Sequence, residues 1–261
     1  MTSGKRAKAQ RRAGGRQAAA PAPRRAAVRG RRRRLGVTVA AAVVVGAGVA
    51  IGLSASAGSA PGEGGSRHLR LEPLSALGRL RPAGSPGPIG PEGVPVPVGP
   101  ALAVAAPAAS QQSVDGIECE TSEQTLFHIH THLTVFVDGS PRQVPYGIGI
   151  PGAETQATPQ GPFVGTGSCF YWLHTHAADG IIHIESPVRR PYTLGDFFDI
   201  WQEPLGANEV GPAAGRVTAF YDGKLYVGDP RNLPLEAHAQ IQLDVGRPIV
   251  APVSIHFPAG L

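Results

Sequence analysis

The sequence predicts a mainly β domain, an antiparallel β-sandwich or barrel with one short helix, preceded by a transmembrane helix and a disordered linker. Three observations lead to this expectation. An uncharged apolar run follows a basic tail, a long Pro-, Gly- and Ala-rich stretch comes next, and the remainder alternates short apolar runs with turn residues. Many short strands separated by turns are typical of sandwiches and barrels.

The first 34 residues form a basic tail that differs in charge from the rest of the chain. The tail contains thirteen of the 24 Lys and Arg residues and no acidic residue, so 11 basic and 19 acidic residues remain, a net charge of −8. Basic arms of this kind can bind nucleic acid. Because an apolar run follows directly, we expect instead that the tail stays on the cytoplasmic side of a membrane, with no nucleic-acid partner.

Residues 35–53 contain no charged side chain and are rich in Val and Ala. Their length is close to the ~20 residues that a helix needs to span a bilayer. We expect a signal anchor here, although Ala55-Ser56-Ala57 resembles a cleavage site and leaves removal of the segment open. Both alternatives predict an extracytoplasmic C-terminal domain. The uncleaved form would be a single-pass protein of the cell membrane with its N-terminus in the cytoplasm.

Residues 54–113 are rich in Pro, Gly and Ala and poor in aromatic side chains. Such a segment buries too little apolar surface to offset the entropy lost on ordering, so we expect a disordered linker. The folded domain is then expected over residues 114–261, a length sufficient for one hydrophobic core. Its protein partners and oligomeric state are not indicated by the sequence.

Two Asp-Gly pairs mark β-hairpins, because Asp-Gly between apolar runs is the strongest short-range hairpin signal. The first separates residues 133–137 from a strand reaching Tyr146, and the second separates residues 217–221 from residues 224–227. Further strands are predicted at 169–175, 181–186, 239–245 and 249–257.

One helix is predicted after Thr193. Thr193 and Asp196 have the spacing of a capping box, in which each side chain accepts a hydrogen bond from the backbone of the other residue. Apolar residues at helical spacing follow, and we expect them to cover one face of the sheet. They are Phe197, Phe198, Ile200 and Trp201.

The chain has two cysteines, Cys119 and Cys169. An even number in an oxidising compartment predicts a disulfide. Ligation of a metal by the two thiolates is the alternative.

Six of the nine histidines lie between positions 128 and 183, in three groups, and neighbours within a group are two residues apart. In a β-strand that spacing places the side chains on one face. Imidazole is a good ligand for Zn, Cu, Ni and Fe. The predicted metal ligands are His128, His130, His132, His174, His176 and His183.

Two acidic residues accompany the later histidine groups. Asp179-Gly180 marks a turn, which would return His183 and Glu185 on a strand next to His174 or His176. Glu185 is then a ligand, an orienting carboxylate or a general base, and Asp179 is a second acid/base candidate. No metal-binding role is expected for the three remaining histidines, His68, His238 and His256.

The predicted domain has no methionine, since the only one is Met1. A blue-copper site usually needs an axial Met and a Cys, and the expected disulfide removes the Cys. The remaining donors, imidazole and carboxylate, suit Zn or Cu. A metal-binding module is therefore the first hypothesis, a metal-dependent hydrolase or hydratase the second, and a structural or interaction domain without metal the third.

Several motifs resemble an uncharacterised family of secreted or membrane-anchored domains from actinobacteria and archaea. The motifs are FHIHTHL at 127–133, FVDG at 136–139, YWLHTH at 171–176, GIIHIESP at 180–187 and TLGDFFDIW at 193–201. The resemblance covers most of the chain from about Gly116 onward. It implies an independent extracytoplasmic domain and implies no particular reaction.

Overall fold

The protein is built around one open, eight-stranded β-sheet. The structure is a computed structural model that describes residues 69–105 and 111–261. The basic tail, the predicted span at 35–53 and parts of the predicted linker lie outside the described residues. Within the described residues, no helix is long and apolar enough to cross a membrane.

The secondary structure of the described residues consists of strands of two to 11 residues, one α-helix and two 3₁₀ turns. The 3₁₀ turns are Leu74–Leu77 and Pro230–Asn232, and the α-helix α1 is Leu194–Trp201. The strands are β1 (Leu71–Glu72), β2 (Cys119–Glu120), β3 (Phe127–Val137), β4 (Ser140–Arg142), β5 (Glu154–Thr158), β6 (Gly161–Thr166), β7 (Phe170–Tyr171), β8 (Leu173–His174), β9 (Ile181–Ser186), β10 (Leu205–Gly206), β11 (Glu209–Val210), β12 (Ala213–Ala214), β13 (Val217–Tyr221), β14 (Lys224–Tyr226) and β15 (Gln240–Val245).

The main sheet has the strand order β1-β14-β13-β15-β3-β9-β8, with β4 also paired to β3. All neighbours are antiparallel except β3 and β15, which run parallel. For the described residues, this confirms a mainly β fold with a predominantly antiparallel sheet and one α-helix. The sheet is not closed into the barrel that was one of the two expected forms, since its outer strands β1 and β8 do not pair with each other.

Both predicted Asp-Gly hairpins form. Asp138 and Gly139 have φ values of 49° and 72°, and Asp222 and Gly223 have 47° and 74°. Positive φ at both central residues is the requirement of a type I′ turn, whose twist matches that of the two strands. The strand after Gly139 is shorter than expected and ends at Arg142.

The expected strand at 249–257 is absent, for a reason visible in β15. Both edges of β15 are already occupied, by β13 and β3. The N–H groups of the later segment instead donate to side chains of β15: Val253 to Gln242 Oε1 at 2.9 Å and Ile255 to Gln240 Oε1 at 2.7 Å. The segment therefore crosses the polar face of β15 without extending the sheet.

Asp244 of β15 makes stability depend on pH. Burial raises the pKa of this carboxyl from 3.8 to about 6, although it accepts hydrogen bonds from Val250 N and Gln242 Nε2. The folded state therefore holds the Asp244 proton over a range in which the unfolded chain has lost it. The stability that this group contributes is present below pH ~4 and is lost as pH rises through about 6.

The amide of Asp244→Asn does not titrate, so this variant should not lose stability in the same way. As pH rises from 4 to 7, its free energy of unfolding should increase by about 2–3 kcal/mol relative to that of the wild type. Urea denaturation of both proteins at several pH values measures this difference. If the two proteins differed by the same free energy of unfolding at every pH, Asp244 would not be a buried carboxyl that keeps its proton.

The described part of the expected linker packs against the domain, so the folded unit starts before the predicted boundary at Val114. Strand β1 pairs with β14, and the side chains of Val94 and Leu102 are buried. Trp201 Nε1 donates to Val104 O at 2.9 Å. A few well-placed apolar side chains and paired backbone groups thus order a segment whose average composition predicts disorder.

Helix α1 covers one face of the sheet, as predicted. Its capping box is present: Thr193 Oγ1 accepts from Asp196 N at 3.2 Å, and Asp196 Oδ2 accepts from Thr193 N at 2.8 Å. Phe197, Phe198 and Trp201 of the helix are fully buried. Residues of β3 and β9 that face this core alternate with residues that face the opposite side, and the opposite side carries the histidines.

Candidate metal centre

The strand register brings three of the histidine-bearing segments together. In the pairing of β3 with β9, His130 lies opposite His183 and His128 lies opposite Glu185. His174 of β8 lies opposite His183 on the other edge of β9. Because the intervening residues Ile182 and Ile184 point into the core, His183 and Glu185 point to the face shared by the other histidines.

His174 and His176 are held in one tautomer by backbone carbonyls. His174 Nδ1 donates to Tyr171 O at 2.7 Å, and His176 Nδ1 donates to Val164 O at 2.5 Å. A carbonyl oxygen can only accept, so both Nδ1 atoms carry hydrogen. In the neutral rings the lone pair is then on Nε2, the arrangement typical of a metal-binding histidine.

The two Nε2 atoms of this 174/176 pair face each other at 3.1 Å. Burial, with the neighbouring histidines, lowers the pKa of both rings, so neither imidazole carries a proton on Nε2 to share with the other. Two facing lone pairs repel unless a cation lies between them. Two ligands at ~2.0–2.1 Å from one ion are ~2.9–3.4 Å apart for angles from 90° to tetrahedral, and the observed distance falls in that range.

His128 and His130 of β3 form a second pair, the 128/130 pair. Their Nε2 atoms are also 3.1 Å apart. Burial and the nearby charge of His183 lower the pKa of His130 to about 3. His128 Nε2 is in addition 3.1 Å from Glu185 Oε1.

His183 and Glu185 lie between the two pairs. His183 Nε2 is 2.6 Å from Glu92 Oε1, and His183 Nδ1 is 3.4 Å from Glu185 Oε1 without forming a hydrogen bond. Burial alone would lower the pKa of His183, but the carboxylates of Glu185 and Glu92 outweigh it and raise the pKa to about 9. The two carboxylates therefore stabilise positive charge at this point.

Two overlapping sets of four residues can hold a metal ion. One set is the 128/130 pair with His183 and Glu185, and the other is the 174/176 pair with the same two residues. In each set, one ligand atom per residue lies within 4.8 Å of the others. We refer to these six residues together as the histidine cluster.

Comparison with protein-family models, with curated proteins and with solved structures finds no match.

Two buried polar atoms at the centre of the cluster lack a hydrogen-bond partner. They are His183 Nδ1 and Glu185 Oε2. Buried nitrogen and oxygen atoms are paired in the great majority of cases, because an unpaired one loses its hydration without compensation. Both atoms are good ligands for Zn or Cu, so a bound ion would account for them.

His132 lies outside both sets, unlike the other five predicted histidine ligands. It lies opposite Ile181, two residue pairs beyond the pair of His130 and His183, and its Nε2 is 2.9 Å from Asp179 O. Burial lowers the pKa of His132 to about 4. The side chain contacts the turn at Asp179-Gly180 and belongs to neither set.

Asp179, a predicted acid/base candidate, is also outside both sets. Its Oδ1 accepts from Ile181 N at 3.1 Å, which closes the turn before β9. Burial raises the pKa of Asp179 well above its usual range, and the charge of Glu92 adds to this shift. Asp179 Oδ2 and Glu92 Oε2 are both buried and have no hydrogen-bond partner.

The structure adds two acidic residues that sequence reasoning missed. Glu92 lies in a turn closed by the hydrogen bond from Gly93 N to Gly90 O, in the segment expected to be linker. Glu123 Oε1 is 3.5 Å from His176 Nε2. In the sequence, Glu92 stands between Pro and Gly, and Glu123 follows Thr and Ser. An acidic residue with such neighbours is too common to indicate a site.

The predicted disulfide between Cys119 and Cys169 is confirmed, so neither thiolate is free to bind a metal. The bond links β2 to the residue before β7, next to the segment that carries Glu123 and the segment that carries His174.

Proposed function

We propose that this chain is a membrane-anchored, extracytoplasmic metal-binding protein whose histidine cluster holds Zn²⁺ or Cu²⁺. The observation that carries the proposal is the 174/176 pair. Its Nδ1 atoms are committed to backbone carbonyls, and its two Nε2 lone pairs face each other at 3.1 Å with no proton available between them. A divalent cation is the partner that this arrangement lacks.

The donor chemistry favours an intermediate or hard ion. The cluster offers imidazole nitrogen and carboxylate oxygen, and it offers neither thiolate nor thioether. Such donors suit Zn²⁺ and Cu²⁺, and Cu²⁺ would bind more tightly at equilibrium. Supply in the compartment would then decide which ion is bound.

The location outside the cytoplasm is inferred from the sequence. A basic tail followed by the uncharged residues 35–53 fits a signal anchor with a cytoplasmic N-terminus. The Cys119–Cys169 disulfide is consistent with an oxidising compartment. The resemblance of the HxHxHL and YWLHTH motifs to secreted and anchored domains supports the same placement.

Equilibrium dialysis tests the proposal. The full chain, purified without a polyhistidine tag, should retain Zn²⁺ after incubation and extensive dialysis, and His174→Ala with His176→Ala should retain less. His256→Ala is the matched control, because this exposed histidine lies in the last segment, outside the cluster. A wild-type chain that keeps no Zn²⁺ and no Cu²⁺ would refute the proposal.

Glu92 should tune affinity from outside the ligand set. It accepts the Nε2 hydrogen of His183 and so leaves Nδ1 as the ligand atom. Loss of such an orienting carboxylate typically weakens metal binding ~10–100-fold. Glu92→Gln should therefore raise the Kd for Zn²⁺ by that factor in a competition assay with a chelator. Glu154→Gln, on an exposed strand, should leave the Kd unchanged.

A metal-dependent hydrolase or hydratase is the second candidate function. His128 and Glu123 have side chains 38% and 39% exposed, whereas His176, His183 and Glu185 are at most 7% exposed, so water reaches the cluster from one side. Burial and the charge of Glu185 raise the pKa of Glu123, which suits a general base.

Zn²⁺-loaded protein should then hydrolyse p-nitrophenyl acetate or hydrate CO₂ above the rate of free Zn²⁺. Glu123→Gln should keep the metal and lose the rate. A rate equal to that of free Zn²⁺ would mean that the protein binds the metal without catalysing these reactions.

A further inference from the structure

We infer that the histidine cluster holds two metal ions, bridged by the carboxylate of Glu185. This inference rests on the proposed function and deepens it. The 128/130 pair would bind one ion, the 174/176 pair would bind the other, and Glu185 would contribute one oxygen to each.

The two histidine pairs do not fall into one set of residues around a single ion. Ligands at ~2.0–2.1 Å from one ion are at most ~4.2 Å from each other. Among the described residues, both sets include His183 and Glu185, and no set within 4.8 Å joins the 128/130 pair to the 174/176 pair. Within each pair, in contrast, the 3.1 Å between Nε2 atoms is the distance expected for two ligands of the same ion.

Glu185 lies where a bridging ligand is needed. Its Oε1 is 3.1 Å from His128 Nε2 and 3.4 Å from His183 Nδ1. Its Oε2 is buried and has no hydrogen-bond partner, so one oxygen remains for a second ion. In two-metal sites the ions are ~3.5–4 Å apart, a separation that the two oxygens of one carboxylate can bridge.

The charge of the surroundings also suits two cations. Glu185 belongs to the cluster, and Glu92 and Glu123 contact its histidines. Among the described residues, no Lys or Arg forms an ion pair with any of these three carboxylates. Their ion-pair partners are histidines alone. Three carboxylates without a Lys or Arg partner offset most of the charge of two divalent ions.

Metal stoichiometry tests the inference. The untagged full chain, in detergent and with its disulfide intact, is saturated with Zn²⁺, separated from free metal by gel filtration and analysed by mass spectrometry. We expect two Zn²⁺ per wild-type chain. We expect one in His128→Ala with His130→Ala, one in His174→Ala with His176→Ala, and two in the His256→Ala control.

A spectroscopic measurement on the wild type avoids reliance on variants that could fail to fold. Two Cu²⁺ ions bridged at ~3.5–4 Å couple magnetically, so the electron paramagnetic resonance signal should integrate to well under two spins per chain. Glu185→Gln should restore uncoupled signals or reduce the copper content to one.

The failures of the two proposals are distinguishable. One Zn²⁺ per wild-type chain, or two Cu²⁺ with uncoupled signals, overturns the bridged pair and leaves the metal-binding function intact. No bound metal in the wild type overturns both.

Discussion

Zn²⁺ should raise the unfolding temperature of this protein by about 8–16 °C when the free ion is ~1,000 times its Kd. The unfolded chain does not hold the histidines of β3, β8 and β9 together, so the ion binds the folded state preferentially and stabilises it by ~4 kcal/mol. Differential scanning calorimetry in Zn²⁺ and in EDTA measures the shift.

Two controls separate binding at the histidine cluster from general ionic effects. Mg²⁺ at the same concentration should give no shift, because it prefers oxygen ligands and keeps its waters. The His174→Ala, His176→Ala variant should lose much of the shift, whereas His256→Ala should keep all of it. Equal shifts in all of these samples would mean that the ion acts elsewhere.

Removal of the Cys119–Cys169 disulfide should lower the free energy of unfolding by ~4 kcal/mol. The two cysteines are 50 residues apart, and the cross-link limits the conformations open to that length of unfolded chain. Urea denaturation of Cys119→Ala with Cys169→Ala, compared with the wild type, measures the loss. A change below ~1 kcal/mol would show that the loop is equally restricted without the bond.

The same double variant should also weaken Zn²⁺ binding. Cys169 directly precedes β7, and Tyr171 at the end of β7 supplies the carbonyl that orients His174. Loosening this segment relaxes the tautomer and position of His174. Wild type treated with a reductant should reproduce the effect, which separates loss of the bond from the substitution itself.

Local patterns predicted much of the sheet and the helix. Strand β9 has the predicted limits, both Asp-Gly turns form, and the Thr193 capping box begins α1. These features depend on residues that are close in sequence, so they can be predicted without knowledge of the tertiary fold. For the same reason, the period of two brings five of the six predicted histidines into the histidine cluster.

Features that depend on distant contacts could not be predicted. Glu92 reaches His183 across 91 positions, from a segment whose average composition indicates a linker. His132 points to the same face of β3 as His130. It lies opposite Ile181 and not opposite a histidine, because of the register between β3 and β9. The segment at 249–257 has a strand-like pattern, yet β15 has no free edge to accept it.

X-ray absorption at the zinc edge of the Zn²⁺-loaded full chain tests the central claim most directly. A metal held by the histidine cluster predicts a first shell of nitrogen and oxygen at ~2.0–2.1 Å, with outer-shell scattering from at least two imidazole rings. The His174→Ala, His176→Ala variant should show reduced imidazole scattering. A first shell of oxygen alone, without imidazole scattering, would contradict metal binding at this cluster.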